Sequence, residues 1–86
     1  MWYTYVLKSM TDKNLYTGCS KDLKSRFKMH QEGKIESTKD RGPFILLYYE
    51  ACRFKNDAFN RERYLKSGYG KRFLKIRLKE EYNLAR

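Results

Sequence analysis

The stretch NLYTGCSKDLKSRFKMH, residues 14–30, passes from alternating apolar residues through a glycine into a basic run that ends on the only histidine of the chain. Side chains alternate between the two faces of a strand, so Tyr16 and Gly18 are predicted to share one face. A helix over residues 21–32 should follow, because serine is favoured at a helix N-cap and Ser20 stands there. The stretch thus predicts a strand that leads directly into a basic helix.

The predicted helix carries one stripe of residues at the spacing i, i+3, i+4 and i+7, namely Leu23, Arg26, Phe27 and His30. This stripe is the face expected to pack on the sheet, so the arginine and the histidine should point inward or lie at its rim. A lone histidine on such a face more often satisfies a local hydrogen bond, so His30 by itself does not define a site. Gly33 stands where a C-terminal glycine cap belongs.

The rest of the chain supplies further strands and helices. Residues 2–9 are rich in aromatic and β-branched types and should form a strand with Tyr3, Tyr5 and Leu7 on one face. The other predicted elements are the strand of residues 15–20, paired with the first as an antiparallel hairpin; a polar loop over residues 34–43; the strand of residues 44–51, apolar enough to be covered on both faces; a helix from Asn56 or Asp57 to Lys66; and, after a break over residues 67–70, a basic terminal helix from about Lys71. We therefore expect an α+β fold, a three-stranded antiparallel sheet flanked by helices in the order β-β-α-β-α-α.

Glu62 falls on the apolar stripe of the second predicted helix, together with Leu65. Burying an unpaired charge costs several kcal/mol or more, roughly, so this carboxylate should have a partner. One interpretation is a structural ion pair with Arg26, Arg61 or Arg63. The other is a metal ligand or catalytic carboxylate at the edge of a cleft.

Length and charge limit the class of protein. A chain of 86 residues is expected to form a single domain over residues 1–86, with one modest core. The formal net charge is +10, and such a field attracts polyanions. Nucleic acid is the first partner that this charge suggests, an anionic membrane surface is the second, and a basic protein that is merely soluble is the alternative.

Cysteine usage and the N-terminus bear on the compartment. Cys19 and Cys52 lack the paired spacing of zinc ligands, and a single bridge would be a thin framework for a secreted domain. The first ten residues have no basic leader and no small-residue cleavage site, and no later segment reaches a membrane-spanning length. We expect a reduced, cytoplasmic protein without a membrane association.

Four pieces in order resemble the GIY-YIG nuclease superfamily, most of all its small single-domain bacterial members. They are YTY at Tyr3–Tyr5, YTG at Tyr16–Gly18, KDLKSRFKMH at Lys21–His30 and DAFNRERYLK at Asp57–Lys66. The resemblance extends from about Trp2 to Leu78. It implies a three-stranded antiparallel sheet flanked by helices and a divalent-metal phosphodiesterase that acts on nucleic acid, DNA rather than RNA, as a monomer or else a dimer.

The resemblance assigns roles residue by residue. The matched positions are Tyr5, which closes the first motif; Tyr16 and Gly18, which open and close the second; Arg26 and His30 on the first helix; and Glu62, which corresponds to the metal-binding glutamate. Glu62 would hold one Mg²⁺ or Mn²⁺ ion, and Arg26 would grip the phosphate through its planar guanidinium. Tyr5 would serve as general base, with Tyr16 and His30 orienting it or relaying the proton.

The pattern also shows departures. Tyr3 and Thr4 replace the glycine and the isoleucine of the first motif, and the larger Tyr3 would narrow the groove above the first strand. A late asparagine of some members has no match, because Asn83 falls in a predicted tail. Lys21 stands where several members place a lysine near the site, and Arg26, Lys21 and the metal together should lower the pKa of the Tyr5 phenol below its usual value near 10.

Seven basic residues on the helices are expected to bind the phosphate backbone: Lys21, Lys24, Lys28, Arg63, Lys66, Lys71 and Arg72. The alternative function is a nucleic-acid-binding module without catalysis, in which aromatic side chains stack on bases. A protein–protein adaptor is a third reading, which leaves the basic surface unexplained. Single-stranded, branched and duplex substrates all remain open, and no helix-turn-helix or zinc finger indicates a sequence preference.

Overall fold

The computed structural model describes residues 1–84. Its elements are β1 (Trp2–Ser9), β2 (Leu15–Ser20), α1 (Leu23–Gln31), β3 (Phe44–Cys52), α2 (Lys55–Lys66), α3 (Gly68–Arg77) and α4 (Lys79–Leu84). The predicted α+β class and the order of the elements are confirmed, with one more short helix at the end. None of the helices within the described range is long and apolar enough to cross a membrane.

The sheet is antiparallel, and β1 lies at its centre in the order β2-β1-β3. Tyr5 is opposite Gly18 on β2 and opposite Tyr49 on β3. Directly opposed residues of antiparallel strands share a face, so these three positions point to the same side of the sheet. The register therefore fixes which β2 residue lies beside Tyr5.

Helix α1 covers the Tyr5 face of the sheet. Tyr5, Leu7 and Phe44 form a buried cluster there, and Leu23 and Phe27 of α1 pack against it. The period-two prediction for β1 and the stripe predicted on α1 are thus confirmed. Burying these apolar side chains, at about 1.5–3 kcal/mol each, holds α1 against the sheet.

Helices α2 and α3 cover the opposite face. Val6 of β1 packs with Leu65 and Leu74 in a second buried cluster. The hydroxyl of Thr4 donates a 2.9 Å hydrogen bond to the backbone carbonyl of Ala58, which ties the start of α2 to β1. The central strand is therefore buried on both sides, and it can carry site residues with little freedom to move.

The ends of α1 differ in part from the prediction. The helix begins at Leu23, because the side chain of Asp22, rather than that of Ser20, accepts the hydrogen bond from the backbone N–H of Ser25. Ser20 instead accepts from the N–H of Asp22 in the turn before it. At the other end Gly33 adopts φ of 72°, the left-handed conformation expected of a terminal glycine.

The C-terminal part of the chain is more helical than predicted. The break over residues 67–70 is wrong in extent, because only Ser67 interrupts the helices and its side chain caps α3 at the N–H of Gly70. Asn83, which was expected in a tail, lies within α4. The serine cap explains the difference: a favourable N-cap lets the next helix begin at once despite Gly68.

Candidate active site

Tyr5 lies directly over Gly18 of the neighbouring strand. A Cβ atom at position 18 would come within 2.5 Å of both Cζ and Oη of the Tyr5 phenol. Such a distance is shorter than any normal carbon contact, so the observed position of Tyr5 requires glycine at position 18. Gly18 of the YTG stretch thus leaves the space that the Tyr5 phenol occupies.

His30 of α1 binds the Tyr5 phenol from the other side. Its Nε2 lies 2.8 Å from the Tyr5 Oη, and its Nδ1 lies 2.7 Å from the hydroxyl of Thr38. All three residues are only 1% exposed. Both ring nitrogens of His30 are therefore engaged, and the histidine is fixed in orientation.

Tyr16 completes an aromatic cluster with these residues. Its ring meets that of His30 edge to face, with the centroids 5.1 Å apart, and lies 6.5 Å from the Tyr5 ring. The Tyr16 ring is half-buried, and its hydroxyl accepts one long hydrogen bond of 3.5 Å from Ser37. Its phenol therefore remains available to a ligand.

Arg26 contributes the charge of the cluster. Its Nε atom is buried and has no hydrogen-bond partner among residues 1–84. A buried donor without a partner costs about 1–3 kcal/mol, and buried polar groups in proteins are nearly always satisfied. An anionic oxygen bound beside Tyr5 would supply the missing acceptor, and a phosphate group fits the planar guanidinium.

The titration of Tyr5 and His30 is set mainly by their burial. Burial raises the pKa of the Tyr5 phenol to about 12; Arg26 opposes this shift by favouring the phenolate, while Tyr16 and Glu62 add to it. Burial and the charge of Arg26 lower the pKa of His30 to about 4, so the imidazole is neutral at pH 7. In the protein without metal, desolvation of the phenolate outweighs the effect of Arg26, so the lowering expected from Arg26, Lys21 and the metal together stays a prediction.

Glu62 lies on the inward stripe of α2, as predicted, but its partner is none of the arginines that the sequence suggested. It forms a 3.4 Å ion pair with Lys66, one turn later on the same helix. Arg61 instead pairs with Glu50 of β3 at 2.9 Å. The structural ion pair predicted with Arg26, Arg61 or Arg63 is therefore wrong, since side-chain direction on α2 sends Arg61 toward β3.

The surroundings of Glu62 suit a hydrated divalent ion. Its side chain is 20% exposed, so water reaches the carboxylate, and its charge is felt by Tyr5 and Cys19 on the sheet. Residues 1–84 contain no cluster of three histidine, cysteine, aspartate or glutamate side chains that could hold a metal. A single carboxylate with several waters is the arrangement that Mg²⁺ accepts, whereas zinc demands more protein ligands.

A basic groove of about 840 Å³ has Tyr16 among its lining residues. Its walls carry four cations from α2 and α3: Lys66, Lys71, Arg72 and Lys75. No carboxylate lines it, and Lys71, Arg72 and Lys75 have no carboxylate within ion-pair distance in the described part of the chain. Three of the predicted backbone-binding residues thus line one groove together with Tyr16, and Lys75 was not among those predicted.

The remaining predicted cations lie elsewhere. Lys21 and Lys24 line a second groove of about 700 Å³ with Tyr3 and Tyr49, whose rings meet edge to face at 5.9 Å. Tyr3 therefore forms a wall of a groove at the first motif. Two further cations, Lys28 on α1 and Arg63 on α2, are exposed on the outer faces of their helices. The structure thus divides the predicted cations between two surfaces.

Sequence reasoning missed Thr38. It lies in the segment predicted as a polar loop, yet it is as buried as Tyr5 and holds the second nitrogen of His30. No periodicity marks a threonine in an irregular segment as buried, so the sequence carries no signal for it. Ser37, the partner of Tyr16, was missed for the same reason.

Known proteins resemble this chain over most of its length. The model of the GIY-YIG catalytic domain matches residues 1–76, which include every site residue described above. The chain is 42% identical over 67 residues to the UPF0213 protein CPE1444 of Clostridium perfringens, covering 77% of this chain and 71% of that protein. It is 38% identical over 79 residues to the UPF0213 protein OB0043 of Oceanobacillus iheyensis, covering 91% and 88%.

A solved structure shows the same fold. The solution NMR structure of the UPF0213 protein BH0048 from Bacillus halodurans matches with a TM-score of 0.53 and 36% identity, over 86% of this chain and 82% of that one. The family model covers most of the chain, and these relatives exceed the level of chance similarity over most of their own length. The chain therefore belongs to the GIY-YIG catalytic domain family.

Proposed function

We propose that residues 1–86 form one metal-dependent endonuclease domain that hydrolyses phosphodiester bonds in DNA as a monomer. The observation that carries this proposal is the buried, unpartnered Nε of Arg26 beside the phenol of Tyr5. A cation without an acceptor next to a candidate base suits a site that receives an anion and activates water there. The family supports a nuclease, and the DNA substrate and the metal-dependent chemistry are our own extension of it.

Arg26 binds the scissile phosphate in this proposal. Its planar guanidinium offers two or more donors in a fixed geometry, and burial strengthens each of these hydrogen bonds. Negative charge grows on the phosphate oxygens as water attacks, so a donor held in place beforehand stabilises the transition state more than the ground state. This is the role that the unpartnered Nε supports.

Tyr5 is the general base. In its phenolate form Oη takes a proton from the attacking water while the water oxygen bonds to phosphorus and the bond to the leaving oxygen breaks. Because burial raises the pKa of Tyr5 to about 12, only a small fraction is ionised at neutral pH without further positive charge. A divalent ion near Glu62 would favour the phenolate, which is why the base and the metal belong to one mechanism.

Glu62 is the residue that would hold the metal, Mg²⁺ or Mn²⁺, with water completing the coordination. When bound, such an ion neutralises charge on the phosphate and on the leaving oxygen. No arginine of residues 1–84 forms an ion pair with this carboxylate, and its partner Lys66 is 54% exposed and can turn into solvent. Releasing an exposed lysine costs less than about 1 kcal/mol, so the ion pair does not bar metal binding.

The basic groove is the proposed path of the nucleic acid. Its four cations, and the absence of carboxylates among the described residues that line it, suit a phosphate backbone, and Tyr16 lines this groove as well as contacting His30. DNA is favoured over RNA by the family resemblance alone. Lys21, Lys24, Lys28 and Arg63 are proposed as further, weaker phosphate contacts.

Three observations favour a second candidate function, a nucleic-acid-binding module without catalysis. The high pKa of Tyr5 leaves the phenol neutral, and the basic groove suffices for binding. The aromatic pair of Tyr3 and Tyr49 next to Lys21 offers a surface on which bases can stack. This candidate needs neither a metal nor Glu62.

Incubation with labelled single-stranded, duplex and branched DNA, and with matching RNA, separates the two functions. Each substrate is tested with Mg²⁺, with Mn²⁺ and with EDTA, and binding is measured in parallel. We expect DNA cleavage that EDTA abolishes and that either metal restores. Tight binding without cleavage of any substrate, in either metal, would favour the binding module and reject the nuclease.

A further inference from the structure

Three buried polar side chains form a chain of hydrogen bonds behind the candidate site. The hydroxyl of Thr38 lies 2.7 Å from Nδ1 of His30, and Nε2 of His30 lies 2.8 Å from Oη of Tyr5. Each of the three residues is 1% exposed. Within residues 1–84 the Thr38 hydroxyl makes no second hydrogen bond, whereas the Tyr5 oxygen also lies within hydrogen-bonding reach of the Arg26 guanidinium, which is a donor.

The number of hydrogens decides what this chain can do. A neutral imidazole has one N–H, and the threonine and tyrosine hydroxyls have one O–H each. Three hydrogens thus share two hydrogen bonds, and one hydroxyl hydrogen is left over at one end. If the Thr38 hydrogen is the one left over, the Tyr5 hydroxyl donates to Nε2 and the Nδ1–H donates to Thr38. If the Tyr5 hydrogen is left over, the Thr38 hydroxyl donates to Nδ1 and the Nε2–H donates to Tyr5.

The two ends differ in what lies beyond them. The Thr38 end is closed, because the described residues offer that hydroxyl no other acceptor. The Tyr5 end adjoins Arg26, whose unpartnered Nε already indicates the place of an anionic acceptor. A phosphate oxygen or the attacking water bound there can accept a hydrogen bond from the Tyr5 hydroxyl. The left-over hydrogen therefore finds an acceptor at Tyr5 once a ligand is bound.

Ionisation of Tyr5 removes the surplus. A phenolate has no hydrogen to give, so two hydrogens then remain for two bonds. Only one arrangement fills both: the Thr38 hydroxyl donates to Nδ1, and the Nε2–H donates to the phenolate oxygen. The chain is therefore fully satisfied in the form of Tyr5 that accepts a proton from water.

We propose that these bonds run from Thr38 through His30 to Tyr5 already in the resting protein, and that Thr38 is a positioning residue that fixes His30 as a donor to the Tyr5 oxygen. His30 then orients and stabilises the base and does not relay its proton. The direction of the bonds stands independently of the activity, whereas the purpose assigned to Thr38 rests on the proposed nuclease function.

Nuclear magnetic resonance of ¹⁵N-labelled protein without metal or DNA tests the direction. His30 is the only histidine, so the two ring nitrogens can be assigned without ambiguity in a long-range ¹H–¹⁵N correlation. At pH 7.5, chosen for the test, about one pH unit above the ordinary histidine pKa, we expect the proton on Nε2 and a bare, hydrogen-bonded Nδ1. A proton on Nδ1, or a doubly protonated ring, would overturn the proposal.

Two variants test the part played by Thr38. Thr38→Val removes the donor with little change of shape, and we expect the Nδ1 signal to move and the preference for the Nε2–H form to weaken. Thr38→Ser retains the hydroxyl and should restore both. Unchanged ring signals in Thr38→Val would show that Thr38 is not the donor, and if that variant does not fold, loss of the wild-type pattern in Thr38→Ser would contradict the proposal.

The pH dependence of cleavage, measured on the same variants, addresses the purpose. Thr38→Val should shift the rise of kcat toward higher pH and leave KM unchanged, with Thr38→Ser near wild type. A Thr38→Val profile that matches wild type would reject the positioning role. A wild-type protein that cleaves nothing would instead reject the nuclease function, and the resonance result would stand on its own.

Discussion

The phenol of Tyr5 occupies the space beside Gly18 that a side chain would otherwise fill, with its Oη 2.5 Å from the position of a Cβ atom there. The two residues are directly opposed on β1 and β2. The register of this strand pair therefore sets the position of the candidate base, and any side chain at residue 18 must displace it. This relationship leads to the first prediction.

Gly18→Ala should displace Tyr5 and lower the cleavage rate by about 100-fold, since a shift of about 1 Å in a reacting group costs that much. Overpacking should also cost about 1–3 kcal/mol of stability. Gly68→Ala is the matched control, because a Cβ there meets nothing within 4 Å. Single-turnover cleavage and thermal midpoints of both variants check this, and wild-type cleavage by folded Gly18→Ala would contradict it.

Removing single tyrosine hydroxyls should separate stability from activity. Tyr5→Phe leaves Nε2 of His30 without its partner and should cost about 1–3 kcal/mol, while the ring keeps its packing. Tyr16→Phe loses only a 3.5 Å contact with Ser37 and should be nearly neutral. We expect both variants to fold and at least one, Tyr5→Phe first, to lose most of its turnover. Full activity in both would exclude tyrosine from the mechanism.

The single histidine should make stability depend on mildly acidic pH. The pKa of His30 is lowered to about 4, so between pH 6.5 and 4 the unfolded chain binds more protons than the folded one. The contribution of neutral His30 to the free energy of unfolding is therefore fully present above pH 6.5. It is lost as the pH drops through this window, by up to about 3 kcal/mol. Denaturant unfolding from pH 7 to 5 measures it. His30→Gln should show a flatter curve, and an equal slope in both proteins would contradict the prediction.

The two groups of cations can be compared by matched charge reversals. Lys71→Glu with Arg72→Glu alters the basic groove, and Lys21→Glu with Lys24→Glu changes the net charge equally on the Tyr3 surface. In EDTA, the loss of DNA affinity should be more than about tenfold greater in the Lys71→Glu, Arg72→Glu variant than in the Lys21→Glu, Lys24→Glu variant. The slope of log affinity against log salt concentration should also become shallower by about 0.9 per lost duplex contact. Equal losses in the two pairs would reject the groove as the main path.

The sequence predicted the parts of the site that periodicity controls. Alternation along β1 and the stripe on α1 place Tyr5, Arg26 and His30 on facing surfaces, because the same apolar neighbours that fold the elements also orient the polar residues between them. Gly18 follows from the pairing of β1 with β2. These features depend on backbone geometry, which repeats along an element and can be read from spacing.

Partners chosen by individual side chains were not predictable in this way. Arg61 pairs with Glu50 on the preceding strand because α2 packs against the sheet there, and Glu62 is left with Lys66 on its own helix. Thr38 is buried in a segment without periodicity. The pKa of Tyr5 depends on how fully the folded protein buries the Tyr5 phenol. Such properties come from tertiary packing, which a single sequence does not encode in any local pattern.

Substitution of Glu62 distinguishes a metal-binding role for this carboxylate from a purely structural one. Glu62→Gln breaks a partly exposed pair with Lys66 and should cost less than about 1 kcal/mol. Glu50→Gln is the control, because Glu50 accepts hydrogen bonds from Arg61 and from Tyr48 and should lose about 1–3 kcal/mol without losing cleavage. One carboxylate thus matters for activity and the other for stability.

The most direct measurement is single-turnover cleavage by Glu62→Gln in Mg²⁺ or Mn²⁺, with its thermal midpoint and DNA affinity determined on the same preparation. We predict a folded protein that binds DNA at least as tightly as wild type and cleaves it at least about 100-fold more slowly, because the site for the metal is lost. A folded Glu62→Gln that binds and still cleaves near the wild-type rate would contradict the metal site and the mechanism built on it.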